Sequence, residues 1–247
     1  MKIIRWQILL GIFLIILSTI VYYIHFLIFR DPHHILIYLI GDIAFVFFEI
    51  LLVTLVIHSL LNKKELKEKL EKLNMLIGVF FSIIGIRLLT IISDADPNIH
   101  KIKKMLIIDE KWSNNKFIEI SNKLKKEKYI VDIEKIDIKN LKELILSKSD
   151  FLIRLLENPI LYEHETFTEL LRTVFHLYEE LDHRKNISKI INTDKNHIKI
   201  DIERCYRNLV LQWINYMHHL KNNYPYLFSL SMRTNPFDSD ASIEIKN

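Results

Sequence analysis

The sequence predicts an all-α protein with an N-terminal two-helix transmembrane hairpin, a long stalk helix and a C-terminal cytoplasmic helical bundle. Half of the 247 residues are apolar, and long uncharged segments concentrate them near the N-terminus. Beyond residue 62, Leu, Ile, Lys and Glu dominate with apolar spacings of three and four, and the whole chain has only four glycines. This pattern is typical of amphipathic helices. We therefore divide the chain into a hairpin (1–61), a stalk or amphipathic helix (62–96) and a cytoplasmic domain (97–247).

Two apolar segments are each long enough to cross a bilayer. Residues 6–29 contain no Asp, Glu, Lys or Arg, and residues 35–61 contain only Asp42 and Glu49. Both exceed the roughly 20 residues that a helix needs to span the hydrocarbon core. The first segment is longer than the about 7–15 apolar residues of a signal peptide, and no small-residue cleavage site follows it. We expect both spans to stay in the protein, joined by a tight turn at residues 30–34.

The distribution of cations predicts the orientation of this hairpin. Lys2 and Arg5 precede the first span, whereas the linker has only Arg30. Five lysines follow the second span: Lys63, Lys64, Lys67, Lys69 and Lys72. By the positive-inside rule, both termini are expected in the cytoplasm, with the hairpin in the cell membrane as a multi-pass anchor.

The remaining composition excludes some classes of partner and bond. The single cysteine, Cys205, cannot form an intrachain disulfide and fits a reducing compartment. The net charge of +4 is small and the lysines and glutamates are interspersed, so we expect no nucleic-acid partner.

The two carboxylates of the second span are expected to belong to an intramembrane polar cluster. Asp42 and Glu49 are seven residues apart, which places them within about 20° of each other on a helix. Tyr22 and His25 of the first span share a polar stripe, and the short linker sets Tyr22 level with Asp42. We expect these two residues to satisfy Asp42. Glu49 has no such neighbour, so it is either protonated or meets a partner from another subunit or from water.

The same stripe continues beyond the second span with the spacing of a coiled-coil seam. Seven of its eight positions are apolar in the list Leu66, Leu70, Leu73, Ile77, Phe80, Ile84, Arg87 and Ile91. One interpretation is a homo-oligomer that pairs these stripes, and the other is that they pack on the chain's own C-terminal domain. Residues 73–92 could also form a third span. Arg87 would then cost about 2.5–3.5 kcal/mol near the helix centre, so we favour a cytoplasmic helix buried in protein.

The cytoplasmic region is expected to contain three longer helices and a terminal cap. They cover residues 140–157, 166–184, where Thr166 and Glu169 have capping-box spacing, and 194–222. The segment after Pro225 is expected to fold back on the helical domain. Residues 97–137 have no assigned fold.

One string in this region has ligand-like spacing. His176, Glu180 and His183 could hold a metal ion, and the Glu-x-x-His step occurs in di-iron bundles. They lie opposite the apolar stripe of their helix, however, which favours a solvated polar face and makes them weak candidates. Cys205 lies in an apolar stripe and is expected to fill the core. With no glycine-rich phosphate loop or nucleophile elbow, we assign no catalytic residue and no cofactor, and we favour a non-enzymatic protein.

Three parts of the sequence resemble a known group of proteins. They are IGDIAFVFFEILLVTLVIHSLL followed by EKLNMLIGVFFSIIG, then LLENPILYEHETFTELLRTVFHLYEEL, and finally YMHHLKNNYPYLFSLSMRTNPF. These strings resemble uncharacterised two-span membrane proteins of bacteria and archaea with an α-helical cytoplasmic region. The resemblance implies topology and compartment, and it implies no mechanism.

The sequence supports one main hypothesis and two alternatives. The main hypothesis is a membrane-anchored, oligomeric interaction, sensing or scaffold protein, with the lipid bilayer, further copies of itself and a cytoplasmic protein as partners. The first alternative is an ion or proton pathway lined by Asp42 and Glu49. The second is a metal-dependent enzyme that uses His176, Glu180 and His183.

Overall fold

A computed structural model describes residues 2–185, 187 and 190–244, and over these residues the protein is all-helical. Helices account for 81% of it, and no strand occurs in the described residues. The prediction of an all-α protein is therefore confirmed. The chain forms two compact units, Met1–Leu66 and Lys67–Asn247.

The first unit contains helix α1 (Lys2–Phe29) and the beginning of helix α2 (Pro32–Phe80). Only two residues separate these helices, fewer than the predicted five-residue linker. The backbone N–H of Arg30 donates to the carbonyl of Phe26 at 2.8 Å, and Arg30 then turns the chain with a φ of 51°. Pro32 opens α2, where its fixed φ suits the first helical position.

Two apolar stretches in these helices are long enough to cross a membrane, as predicted. They lie within Trp6–Phe29 and within Ile35–Asp94, and no residue of the 18-residue apolar stretch in either is buried. Their apolar side chains are exposed on all sides of both helices. Length and composition therefore permit two spans.

The second unit begins inside α2, which continues unbroken past Asn62. A π-helical turn (Phe81–Gly85) and helix α3 (Ile86–Asp94) follow. A glycine is needed in this turn, because a Cβ on Gly85 would lie 2.6 Å from Cδ1 of Phe81. The helical path thus runs from residue 32 to residue 94, with one local change of pitch.

Most of the predicted seam is used inside this unit. Its buried members are Leu73, Ile77, Phe80 and Ile84. Leu66 and Leu70 are exposed, and so is Arg87. The interpretation that the stripe packs on the chain's own domain is therefore confirmed from Leu73 onward. The later part of the segment 62–96, predicted as a stalk, thus lies in the core of the second unit.

Residues 97–137, for which the sequence predicts no fold, form short helices. Helices α4 (Ile99–Leu106) and α5 (Asn114–Leu124) are followed by a 3₁₀ turn at Ile133–Lys135. Ser113 caps α5 by accepting a hydrogen bond from the N–H of Lys116 at 3.3 Å. Such short, separately capped helices give little periodic signal in the sequence.

The predicted helix 140–157 is two helices, α6 (Ile138–Leu146) and α7 (Ser149–Leu156). Ser147 interrupts the pattern: its hydroxyl donates to the carbonyl of Leu144 at 2.8 Å, and Lys148 leaves the helical conformation. Serine side chains compete with the backbone in this way and favour helix ends. A 3₁₀ turn, Pro159–Glu163, follows α7.

Helices α8 (Glu165–Asp182), α9 (Asn192–Asn223) and α10 (Pro225–Arg233) complete the fold. The predicted capping box at the start of α8 is wrong. His164 is the N-cap, and its Nδ1 accepts a hydrogen bond from the N–H of Phe167 at 3.1 Å. The Thr166 hydroxyl instead donates to Oε1 of Gln212 on α9 at 3.2 Å.

The core lies where α8 and α9 meet the end of α2 and the π-helical turn. Phe80 packs edge-on against Phe167 of α8, with ring centres 5.7 Å apart. Phe81 packs edge-on against Trp213 of α9 at 5.4 Å. Aromatic pairs at these distances and angles are favourable beyond the area they bury. These contacts pack the segment 73–92 against protein. This is the arrangement that the sequence favours over a third membrane span.

The C-terminal segment folds back on the second unit, as predicted. Asn235 is buried, and its Nδ2 donates to the carbonyl of Leu106 at 2.7 Å. Phe237 is buried two residues later. The segment therefore satisfies the C-terminal end of α4 and closes one side of the core.

Candidate functional site

Helices α8 and α9 run antiparallel, and pairs of polar residues along their contact show it. Thr173 accepts a hydrogen bond from Nδ2 of Asn208 at 3.4 Å. Farther along α8, toward its C-terminus, the partners on α9 come earlier in the chain: His176 faces Asp201, and Glu180 faces His197. The C-terminal half of α8 is thereby aligned with the N-terminal third of α9.

This alignment brings together two i, i+4 pairs. His176 and Glu180 lie on one face of α8, and His197 and Asp201 lie on one face of α9, because residues four apart on a helix are neighbours. Nε2 of His176 and Nε2 of His197 are each 3.5 Å from Oδ2 of Asp201. We call His176, His197 and Asp201 the His–His–Asp cluster. One ligand atom from each lies within 4.8 Å of those of the other two.

The members of the cluster differ in exposure. The side chain of Asp201 is only 3% exposed, whereas those of His176 and His197 are 44% and 53% exposed. The carboxylate therefore forms the floor of the cluster, and the two imidazole rings form its rim. Chemically, two imidazole nitrogens and one carboxylate oxygen form a ligand set found in metal sites.

Only one oxygen of Asp201 has a hydrogen-bond partner. Oδ1 accepts from Nη1 of Arg204, three residues later on α9, at 3.0 Å. Oδ2 is buried and forms no hydrogen bond within the described residues. A buried carboxylate oxygen that forms no hydrogen bond is energetically unfavourable.

Glu180 belongs to a neighbouring ion-pair network. Its Oε2 is 3.5 Å from Nε2 of His197, but it also accepts from Nη1 of Arg184 at 2.6 Å. Arg184 in turn donates from Nε and Nη2 to both oxygens of Asp194, at 2.9 and 2.6 Å. Hydrogen bonds from Arg184 lower the pKa of Glu180 and that of Asp194. The network connects the end of α8 to the start of α9. Within it, the carboxylate of Glu180 is bound by Arg184.

The sequence found part of this site. Of the three weak metal candidates, His176 and Glu180 lie at the cluster, while the exposed His183 does not, and its Nδ1 is 2.7 Å from the carbonyl of Glu179. The sequence predicts a solvated polar face here; the side chain of His176 is 44% exposed, and α9 contacts the inner edge of the face through Asp201 and His197. His197 and Asp201 were missed. Their matching i, i+4 spacing near the start of the next helix was the available signal.

The predicted intramembrane polar residues lie in the first unit. Tyr22 and His25 are half-buried, whereas the side chains of Asp42 and Glu49 are exposed. Tyr22 and Asp42 form no hydrogen bond with each other in the described part of the hairpin. The cluster of these four residues thus stays a prediction from sequence.

Cys205 lies in the core, as its stripe predicted. It is completely buried on α9, and burial raises the pKa of its thiol to about 12. Because the thiolate is the reactive form, this side chain is an inert packing residue in the folded protein.

Comparisons with known proteins identify relatives along almost the whole chain. One family model, described as the C-terminal helical domain of the uncharacterised protein MJ1433, matches residues 69–233. A second, described as the N-terminal helical domain of MJ1433, matches residues 2–61. The chain is similar to the uncharacterised protein MJ1433 of Methanocaldococcus jannaschii, with 46% identity over 239 residues, which is 97% of this chain and 96% of the relative. No solved structure matches the chain.

Proposed function

The chain belongs to the family of the uncharacterised protein MJ1433, with an N-terminal and a C-terminal helical domain, and we propose that it is a membrane-anchored protein. The hairpin of residues 6–61 lies in the bilayer, and the second unit lies in the cytoplasm. There it interacts with another protein or a ligand, and the anchor keeps that encounter at the membrane.

The exposed apolar surface of the first unit carries this proposal. Side chains as large as Ile15 and Phe47 are 69% and 72% exposed, and neighbouring positions on both helices are similar. Soluble monomers rarely expose contiguous apolar patches larger than a few hundred Å². A bilayer covers such a surface without further protein, and the helices already satisfy their own backbone groups. Lipid is therefore the proposed partner of this unit.

The second unit supports the division of roles. Many of its apolar residues, including most of the later part of the seam, are enclosed in its own core. Such a unit needs no lipid, so an aqueous location suits it. The lysines after the second span, at positions 63, 64, 67, 69 and 72, favour the cytoplasmic side.

Single-cysteine labelling tests the anchor and its orientation together. Cys205 is buried and unreactive, so the wild-type chain provides a silent background. Asp31→Cys places a thiol in the turn of the hairpin, and Lys126→Cys places one on the surface of the second unit. A membrane-impermeant maleimide should label Asp31→Cys in intact cells and Lys126→Cys only after lysis. Wild type should remain unlabelled in both conditions.

Two results would contradict the proposal. Labelling of Lys126→Cys in intact cells would show that the second unit lies outside the cell. Release of the wild-type chain from membranes by an alkaline wash would show that the hairpin is not inserted in the bilayer, since integral helices resist that treatment.

A further inference from the structure

We propose that the His–His–Asp cluster is a binding site for a divalent transition-metal ion of the Zn²⁺ type. The ligands are Nε2 of His176, Nε2 of His197 and Oδ2 of Asp201. The site joins α8 to α9 at the rim of their contact.

The distances between the ligand atoms fit one ion. Zn²⁺ binds imidazole nitrogen and carboxylate oxygen at about 2.0–2.2 Å, so two ligands of a tetrahedral site lie about 3.4 Å apart. The two distances from Oδ2 of Asp201 to the imidazole nitrogens are both 3.5 Å. One candidate ligand atom from each of the three residues also lies within 4.8 Å of those of the other two. A single ion can therefore reach all three with little movement of the side chains.

The buried carboxylate is the second, independent observation. Oδ2 of Asp201 lies on a side chain that is 3% exposed, and within the described residues it forms no hydrogen bond. Burial of a carboxylate oxygen without a hydrogen bond is costly, even though Arg204 pairs with the other oxygen. A cation at the cluster would bind Oδ2 on the side where the two imidazole nitrogens converge.

A neighbouring arginine orients the carboxylate of Asp201. Arg204 binds Oδ1 of Asp201 and leaves Oδ2 directed at the histidines. Partners that hold a ligand in this way are a regular feature of metal sites. Glu180 is held by Arg184 at 2.6 Å and is not assigned as a ligand.

The chemistry of the set selects the class of ion. Two imidazoles with one carboxylate suit Zn²⁺, Co²⁺, Ni²⁺ or Fe²⁺, whereas Mg²⁺ and Ca²⁺ prefer sites made of oxygen. Three protein ligands leave at least one coordination position for water or another small ligand. Because both imidazoles are about half exposed, that position opens to solvent and the ion can exchange.

Metal titration of the purified full-length chain in a mild detergent tests the site. After removal of bound metal with a chelator, Co²⁺ should bind one to one and give the visible absorption of a low-coordinate complex, and Zn²⁺ should displace it. His176→Gln and His197→Gln should each weaken the affinity by at least about tenfold, because loss of a group that merely supports a ligand already costs about 10–100-fold. His183→Gln is the matched control on the same helix and should bind as wild type does.

Thermal unfolding provides a second measurement. Zn²⁺ binds only the folded arrangement of two helices, so it should raise the Tm of wild type and of His183→Gln, but not that of the double variant His176→Gln/His197→Gln. Both histidines are on the rim, so their replacement leaves the core intact. The proposal is overturned if wild type shows no saturable binding of Co²⁺ or Zn²⁺. It is equally overturned if the double variant binds with unchanged affinity.

Discussion

His164 shows how a single residue can fix a helix boundary that the sequence did not indicate. Serine, threonine, aspartate and asparagine are the usual N-cap residues, yet the imidazole Nδ1 of His164 fills this role for α8. It accepts the N–H of Phe167 only when that nitrogen is unprotonated. Burial lowers the pKa of His164, which favours the form that can accept.

This arrangement predicts a pH-dependent contribution to stability. In the folded state His164 binds a proton less tightly than in the unfolded state, where the pKa of a histidine is about 6.5. Its contribution is therefore present above that pH and is lost as the pH falls below it. His164→Ala should lower the Tm by about 2–4 °C at pH 7.5, from the loss of about 1 kcal/mol of capping.

His164→Asn is the matched variant for this prediction. The asparagine oxygen can occupy the position of Nδ1, so it should keep the Tm near that of wild type at pH 7.5. Between pH 7.5 and 5.5, wild type should lose more Tm than His164→Asn, because asparagine does not titrate. Equal losses in thermal unfolding of the two full-length proteins would show that the cap does not respond to pH.

At the scale of elements, α2 contributes residues to both units. Its first half presents Asp42 and Glu49 among exposed apolar side chains, and its last turns enter the core of the second unit. Carboxylates facing hydrocarbon are unfavourable. We propose that hairpins associate through this stripe, which places Glu49 against polar groups of another copy. Leu66 and Leu70 belong to the same stripe beyond the second span, and both are exposed.

Removal of the Glu49 carboxyl should weaken this association. Polar contacts between membrane helices contribute about 1–2 kcal/mol, so Glu49→Leu should raise the dissociation constant of the oligomer by about 5–30-fold. Ile50→Leu, the adjacent position on another face, should leave it unchanged. Analytical ultracentrifugation in a mild detergent measures both, and a wild-type monomer or an unchanged Glu49→Leu oligomer would contradict the proposal.

At the scale of the whole molecule, the boundary between the units decides which fragment can fold. The segment before residue 97 supplies a large share of the second unit's core: Leu73, Ile77, Phe80, Phe81, Ile84, Leu88, Leu89 and Ile92. Each such side chain contributes about 1.5–3 kcal/mol when buried. Their combined loss, about 12–24 kcal/mol for the eight side chains, is as large as or larger than the stability of most domains, about 5–15 kcal/mol.

Two fragments test this boundary. A chain of residues 67–247 should be soluble and unfold cooperatively, because it retains the complete core. A chain of residues 97–247, cut at the end of the segment predicted as a stalk, should lack cooperative unfolding in near-UV circular dichroism. Cooperative unfolding of the shorter fragment would show that the helix before residue 97 is dispensable.

The sequence by itself determined the class of the protein and the nature of its surfaces. Long, mostly apolar segments define the two candidate spans, and the 3.6-residue period defines α8 and α9 to within about two residues, the usual accuracy of helix ends. Both signals are local, because they depend only on which side chains follow one another along a helix.

The tertiary structure alone decided where each apolar or polar stripe finds its partner. The seam from Leu73 has the same spacing whether it pairs with another copy or packs in its own core, and packing assigned it to the core. Likewise, His176 became part of a cluster only because antiparallel packing set it beside Asp201 and His197. Periodicity gives the direction of a side chain about its own helix axis, whereas the neighbour across the interface depends on how two helices far apart in sequence align.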